Sequence, residues 1–186
     1  MLMGVMSGYF GGWVDGAIMR VVDAWLAMPT LVLAILLSFV LGQSMWNIVL
    51  ILGVVYWTRY ARILRSEVLS LRERDFVKLA QVAGAGRWRI IGRHIVPNIL
   101  NTWMVLASLT VGVVIVAEAS LSFLGVGVPS PDPAWGSMLN ESRSQLLTGR
   151  WWLLAAPATC IFLTVLAANL FGDWMRVKLD PQQRNL

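Results

Sequence analysis

The chain has 186 residues, of which 58% are apolar and only 13% charged, with a formal net charge of +5. Soluble domains average roughly 45–50% apolar and about 25% charged. The charges here are also gathered in a few places, which leaves uncharged stretches long enough to cross a bilayer and excludes both a soluble globular enzyme and a nucleic-acid reader.

The first residues, Met1-Leu-Met-Gly-Val-Met-Ser-Gly8, lack the Lys/Arg-rich leader of a signal peptide and read as the tail of a span. A helix needs about 20 apolar residues to cover about 30 Å of hydrocarbon. By that measure the expected spans are 21–41, 46–60, 99–117 and 151–171. The first carries Asp23 and Pro29, and the fourth carries Pro157 and no charge. Within a bundle, neighbouring spans can satisfy the carbonyls that proline frees. Trp46, Trp57, Trp135, Trp151 and Trp152 fall near predicted span ends, where indole rings favour the interface. The single cysteine, Cys160, lies mid-span and is expected to pack as a small apolar residue.

Between the second and third spans, Arg59 to Arg93 holds nine of the fifteen Lys and Arg residues. Phe76, Leu79, Ala80 and Ala83 make the i, i+3, i+4, i+7 stripe of one helical face. Gly84 then stands where a helix commonly ends in the left-handed region, for which glycine has no steric penalty. A second stripe runs through Trp88, Ile91, Gly92 and Ile95, and Pro97 is expected to open the next span. The stretch 76–98 therefore predicts a bent pair of short helices whose small-residue elbow admits the backbone of another protein, with Arg87, Arg89 and Arg93 around it. After the third span, the Gly- and Pro-rich stretch 121–150 offers Leu121, Phe123, Leu124, Val126 and Trp135 for burial, which predicts a re-entrant or surface-lying cap on the outer side.

Orientation follows from the distribution of cations. The turn Gly42–Met45 has none, the central loop nine, the segment Leu121–Arg150 two and the tail Gly172–Leu186 three. Both termini and the central loop are then expected inside, with Gly42–Met45 and Leu121–Arg150 outside.

Phe76 to Asn98 resembles the EAA loop of type I ABC importer permeases, in the form found in the dipeptide/oligopeptide/nickel group. Gly8-Tyr-Phe-Gly-Gly-Trp-Val-Asp15, Met19-Arg-Val-Val-Asp23, Tyr60-Ala-Arg62, Ala117-Glu-Ala-Ser-Leu-Ser-Phe-Leu-Gly125, Pro133-Ala-Trp-Gly-Ser-Met-Leu139, Asn169-Leu-Phe-Gly-Asp173 and Lys178-Leu-Asp-Pro181 are similar to stretches of that group, in the same order. The resemblance implies an all-α polytopic membrane protein, a bundle of about four transmembrane helices with a cytoplasmic coupling loop. It also implies residence in the inner membrane of a prokaryote and import of peptides, or of glutathione-like compounds or nickel chelates, by alternating access. The implied partners are a second permease, cytoplasmic ATPases and an extracytoplasmic solute-binding protein. The implied coupling residues are Ala80, Ala83, Gly84, Ala85, Gly86, Trp88, Ile91 and Pro97. Two departures stand out. Lys78 replaces the usual Glu of the loop, so any contact of that Glu does not transfer. The chain also corresponds to the C-terminal two-thirds of such a permease and is expected to lack its N-terminal spans.

No G-x-x-x-x-G-K-[ST] appears, so ATP and Mg²⁺ are expected on the partner ATPase and no cofactor on this chain. No catalytic or metal constellation is expected, and the sole histidine, His94, is assigned a surface or packing role. Asp23, Glu118 and Asn169 are the polar residues within spans that suggest a solute pathway or packing between helices. A membrane-embedded enzyme would need paired carboxylates or Ser/His at mid-span depth, which the spans do not offer. A structural or assembly protein, including a non-functional truncated permease, is the remaining alternative.

Overall fold

The computed structural model describes residues 1–179, a chain that is helical throughout apart from its connections and contains no strand among those residues. It divides into two compact units, the first drawn chiefly from Met1–Ala27 and Tyr56–Leu106, the second from Met28–Val55 and Ala107–Lys178.

In the first unit, α1 (Leu2–Phe10) lies against α4 (Met45–Arg72) through Gly4 and Gly8, a small-xxx-small pair. An added Cβ at Gly4 would stand 2.7 Å from the Ala61 carbonyl oxygen, and one at Gly8 would stand 2.8 Å from both the Arg65 carbonyl oxygen and Val68 Cβ. Backbones approach this closely only where side chains are missing, and dispersion then replaces the hydrophobic drive that lipid does not supply. Then come α2 (Gly12–Leu26), α5 (Asp75–Val82), and α6 (Arg87–Ile90), which continues through a π-helical turn (Ile91–Ile95) into α7 (Val96–Phe123). Their core is Val5, Tyr9, Leu64, Val68, Val77, Ile90, Ile91, Ile95 and Ile99.

In the second unit, α3 (Thr30–Leu41) and α4 bury Leu33, Ala34, Ile48, Ile51 and Val55. The C-terminal part of α7 meets α9 (Trp152–Leu179) at a second pair of close approaches. A Cβ at Gly112 would be 2.8 Å from Asn169 Oδ1, and one at Gly172 would be 3.1 Å from Ser108 Oγ. The connection between α7 and α9 carries α8 (Trp135–Ser142) and a 3₁₀ turn (Ser144–Thr148).

Among the described residues three helices are long and apolar enough to cross a membrane: Met45–Arg72, Arg87–Phe123 and Trp152–Lys178. A fourth crossing requires Gly12–Leu26 and Thr30–Leu41 to be counted together, although they are bent by 91°. The expected span 21–41 is therefore not one helix. Pro29 cannot donate a backbone hydrogen bond and disfavours helix at the residue before it; α2 stops at Leu26, and α3 restarts with Leu33 N–H on the Pro29 carbonyl at 3.0 Å. The other helices outrun their apolar cores. Arg59 to Arg72, read as loop because it is basic, continues α4, and this leaves Trp57 half-buried within that helix rather than at its end.

Pro97 likewise does not open a span but sits inside the 37-residue helix Arg87–Phe123. The π turn immediately before it, where Val96 N–H bonds Ile91 O, widens the backbone at the place where a proline ring would crowd a regular helix. Pro157 lies inside α9, and the carbonyl it leaves unpaired four residues earlier, that of Leu153, accepts the Ser142 hydroxyl at 3.0 Å. Cys160 is exposed on α9 rather than packed.

The stretch after α7 is tightly held within its unit. Gly125, at φ +78°, ends α7 with its N–H on Ser122 O at 3.1 Å and Val126 N–H on Leu121 O at 3.0 Å. Ser38 Oγ donates to Val126 O at 2.5 Å and Gln43 Nε2 to Gly125 O at 2.8 Å, which ties the segment to the end of α3. A Cβ at Gly136 would lie 2.2 Å from the Ala119 carbonyl oxygen, so α8 rests directly on α7. Of the apolar residues expected to bury here, Leu121 and Val126 do; Phe123, Leu124 and Trp135 remain exposed.

Candidate functional site

The site is the elbow between α5 and α6 in the first unit. Its geometry starts with Gly84. The N–H of Gly84 bonds Gln81 O at 2.9 Å and that of Ala85 bonds Ala80 O at 3.0 Å, with Gly84 at φ +78°. This is the paired C-terminal motif in which a left-handed residue satisfies the last carbonyls of a helix, and the Ala80–Ala85 contact that accompanies it lies against the core. The left-handed glycine stands where the sequence pattern placed it.

The faces divide differently from the predicted stripes. Val77 is fully buried and Ala80 half-buried, so the inward face of α5 is Val77 and Ala80. Phe76, Leu79, Val82 and Ala83 point out, with Leu79 68% and Val82 86% exposed. In the following helix Ile90, Ile91, Ile95 and Ile99 bury, whereas Trp88 is 68% exposed and Gly92 open. Among the residues implied for coupling, Ala80, Ala85 and Ile91 thus face the core and hold the elbow in place. Ala83, Gly84, Gly86, Trp88 and Pro97 are exposed. Sequence reading missed Val77, Val82 and Ile90; Val77 with Ala80, and Ile91 with Ile95 and Ile99, already had helical spacing.

A Cβ at Gly84 or Gly86 would meet no other atom within 4 Å. The elbow is open on its outer side, and exposed apolar side chains flank it. Lys78, in place of the usual Glu, reaches Glu73 Oε2 at 3.3 Å, a local pair with both members more than half exposed. His94 lies beside Phe76, ring centroids 6.3 Å apart.

Beneath the elbow a polar network holds α1 and α2 to α4. Arg65 Nε and Nη2 each donate to Asp15, both at 2.5 Å, and Ser7, fully buried, donates to the same carboxylate. A guanidinium fork on a carboxylate fixes direction as well as distance. Arg72 Nη1 adds a bond to the Tyr9 carbonyl at 3.1 Å. A separation of 50 residues between Asp15 and Arg65 left no local signal for this pair.

The polar residues singled out within spans each have a local neighbour. Asp23 forms an exposed ion pair with Arg62 in the first unit. In the second unit, Glu118 accepts the Ser122 hydroxyl at 2.6 Å, one turn along its own helix, and Asn169 lies against Gly112. Among the described residues no group of three or more His, Cys, Asp or Glu is placed to hold a metal ion.

The family described as binding-protein-dependent transport system inner membrane component matches residues 1–185. A glutathione transport system permease protein of Pectobacterium atrosepticum is 39% identical over 183 residues, covering 98% of this chain and 60% of that protein. A dipeptide transport system permease protein of Alkalihalophilus pseudofirmus shows the same 39% over 183 residues and the same coverage, 98% and 60%. A probable D,D-dipeptide transport system permease protein of Escherichia coli is 40% identical over 181 residues, 97% of this chain and 60% of the relative. The chain therefore spans about 60% of the length of these curated relatives. Because the match runs from α1 through the Gly84 elbow to the last helix, the chain belongs to the family of binding-protein-dependent transport system inner membrane components.

Proposed function

We propose that the chain is a membrane-spanning permease subunit of an ATP-driven importer for peptides or a similar small solute in the cytoplasmic membrane of a prokaryote. It works with a second permease, cytoplasmic ATPase subunits that bind ATP and Mg²⁺, and an extracytoplasmic solute-binding protein. Both termini and the elbow lie on the cytoplasmic side, as the cation distribution favours. The observation that carries this reading is the elbow: exposed Leu79, Val82, Ala83 and Trp88 around a glycine with open space before it, mounted on a buried core by Val77, Ala80, Ala85 and Ile91.

A surface of that kind is a receiver. ATP-driven closure of the ATPase subunits displaces whatever they hold, and the long helix Arg87–Phe123 starts directly at the elbow, so a displacement there acts on the start of a candidate span. The chain supplies path and lever, and its partners supply hydrolysis and solute capture. The curated relatives are named for glutathione and dipeptide transport, which favours small peptides as cargo.

Thiol cross-linking tests the docking. In the full transporter with Cys160→Ser, Val82→Cys should link to the ATPase subunit through a short bifunctional reagent, whereas Trp46→Cys at the opposite end of α4 should not. Linking from position 46 with none from position 82 would overturn the assignment.

A further inference from the structure

The helix that leaves the elbow carries one residue more than a regular helix would. Across Ile91–Ile95 the backbone is π-helical, with Val96 N–H on Ile91 O, so this turn bonds i→i+5 instead of i→i+4. The consequence is rotational. At about 100° per residue, an unbroken α-helix measured from Ile95 would place Trp88 about 20° away, Ile91 about 40°, Gly92 about 60° and Ile90 about 140°. That is the stripe Trp88, Ile91, Gly92 and Ile95 expected from the sequence, and it turns Ile90 away from the core. Taking up one residue in the π turn brings Ile90 to about 40° and sends Trp88 to about 120°. The structure has this second arrangement, with Ile90 1% exposed and Trp88 68%.

The same sequence thus carries two apolar faces before Ile95, one for each register, and the surroundings of the turn let one replace the other. Pro97 has no N–H, so the i→i+5 pattern cannot be passed forward through it. At this end Asn98 Nδ2 also bonds His94 O at 2.6 Å. The other end is free, because only the four residues Arg87–Ile90 separate the π turn from Gly86. Gly92 is exposed, and an added Cβ there would meet nothing within 4 Å, so no side chain has to pass a neighbour at that position. Trp88 already stands edge-on to Phe10 at 5.9 Å. A cavity of about 390 Å³ borders both Phe10 and Ile90, which leaves room beside the residues that must move.

We propose that Arg87–Ile95 is a two-register switch. In the observed π register Trp88 stands on the exposed face of the elbow. In the α register the extra residue is released at the elbow, and Arg87–Ile90 turns by about 100° and advances about 1.5 Å. Trp88 then turns toward the core and Ile90 turns out. Each N–H in the turn trades one carbonyl for the next, so backbone hydrogen bonds are exchanged rather than lost. An element with two discrete packings converts a small push at the elbow into a defined rotation. The two registers belong to this chain alone; that the ATPase stroke drives their exchange rests on the permease reading.

Thiol labelling of Ile90→Cys in the full transporter, in a Cys160→Ser background and read on this chain by mass, tests this. Ile99→Cys, as buried as position 90 but beyond Pro97, is the reference. Vanadate trapping of the ATPase subunits should raise labelling at position 90 at least about tenfold, since a minor register holds about 0.1–10% of the population before trapping. Deletion of Gly92 removes the extra residue and leaves a plain α-helix with Ile90 inward, so labelling at position 90 should fall to the rate of the reference in either state. Trp88→Glu keeps the chain length and should act in the same direction, because the α register would bury its charge whereas the π register leaves it in water. Labelling at position 90 that both changes leave as it was would overturn the switch. So would an equal rise at position 99 on trapping, which marks general loosening. Labelling that is lost with either change but ignores vanadate would support the two registers and overturn instead the coupling of the elbow to the ATPase.

Discussion

Replacing Gly84 separates backbone strain from partner contact, because the two have different dependence on side-chain size. Gly84 sits at φ +78°, where a side chain costs about 1–2 kcal/mol of conformational energy. The left-handed region is cheaper for Asn than for Ala, since a short polar side chain visits it more readily. Within the chain the added Cβ itself meets nothing within 4 Å, so the first atom of any side chain brings no clash of its own. Strain alone therefore predicts that Gly84→Ala and Gly84→Trp loosen the elbow equally, by about 5–30-fold in its equilibrium, and Gly84→Asn by less. Contact with an ATPase subunit predicts a different order, in which Trp is far worse than Ala because the partner's backbone must approach the elbow. We expect all three variants to insert at native levels, Asn and Ala to retain ATPase co-purification with reduced transport, and Trp to lose both. Measurement of co-purification and ATP-driven uptake across the series decides between them. Equal losses for Ala and Trp would refute docking at the elbow and leave only strain.

The two ion pairs of the first unit should differ in weight. Asp15→Asn breaks a bidentate pair whose side chains are 19% and 29% exposed and should cost about 1.5–3 kcal/mol, whereas Asp23→Asn, in a pair 64% and 51% exposed, should cost at most about 1 kcal/mol. Thermal unfolding of the purified transporter checks the order. Gly8→Val forces a side chain toward the Arg65 carbonyl and Val68, both at 2.8 Å from the new Cβ, and should destabilise by about 1–3 kcal/mol, read as a lowered Tm; an unchanged Tm would mean that α1 does not rest on α4 this closely. For orientation, Ser70→Cys should react with an impermeant thiol reagent only after permeabilisation and Ser130→Cys before it, and the reverse pattern would invert the proposed topology.

The elbow was legible because its signal is local. A helical stripe followed by glycine names a left-handed C-terminus from adjacent residues alone, and Gly84 adopts it. The inward face was harder, since α5 is apolar on two sides; choosing Val77 over Phe76 for burial requires the position of Leu64 and Val68, which composition does not carry. Helix limits failed for a related reason. Apolar runs measure the depth of hydrocarbon, not the extent of backbone hydrogen bonding, so α4 and α7 extend through basic sequence that need not sit in lipid. Pro29 and Pro157 read alike in sequence. One breaks the chain into α2 and α3, while the other remains inside α9, where Ser142 meets the freed carbonyl, a partner visible only in three dimensions. The Asp15–Arg65 fork lay beyond any local pattern for the same reason.

The central claim is that this chain is the permease through which a solute moves and that the Gly84 elbow transmits the ATPase stroke. Uptake of a labelled dipeptide into proteoliposomes containing ATP, the two permeases, the ATPases and the binding protein measures it directly. The account predicts uptake that requires ATP, disappears when this chain is omitted, and is abolished by Gly84→Trp although the variant inserts normally. ATP-dependent uptake that persists at the native rate without this chain, or with Gly84→Trp, would contradict it.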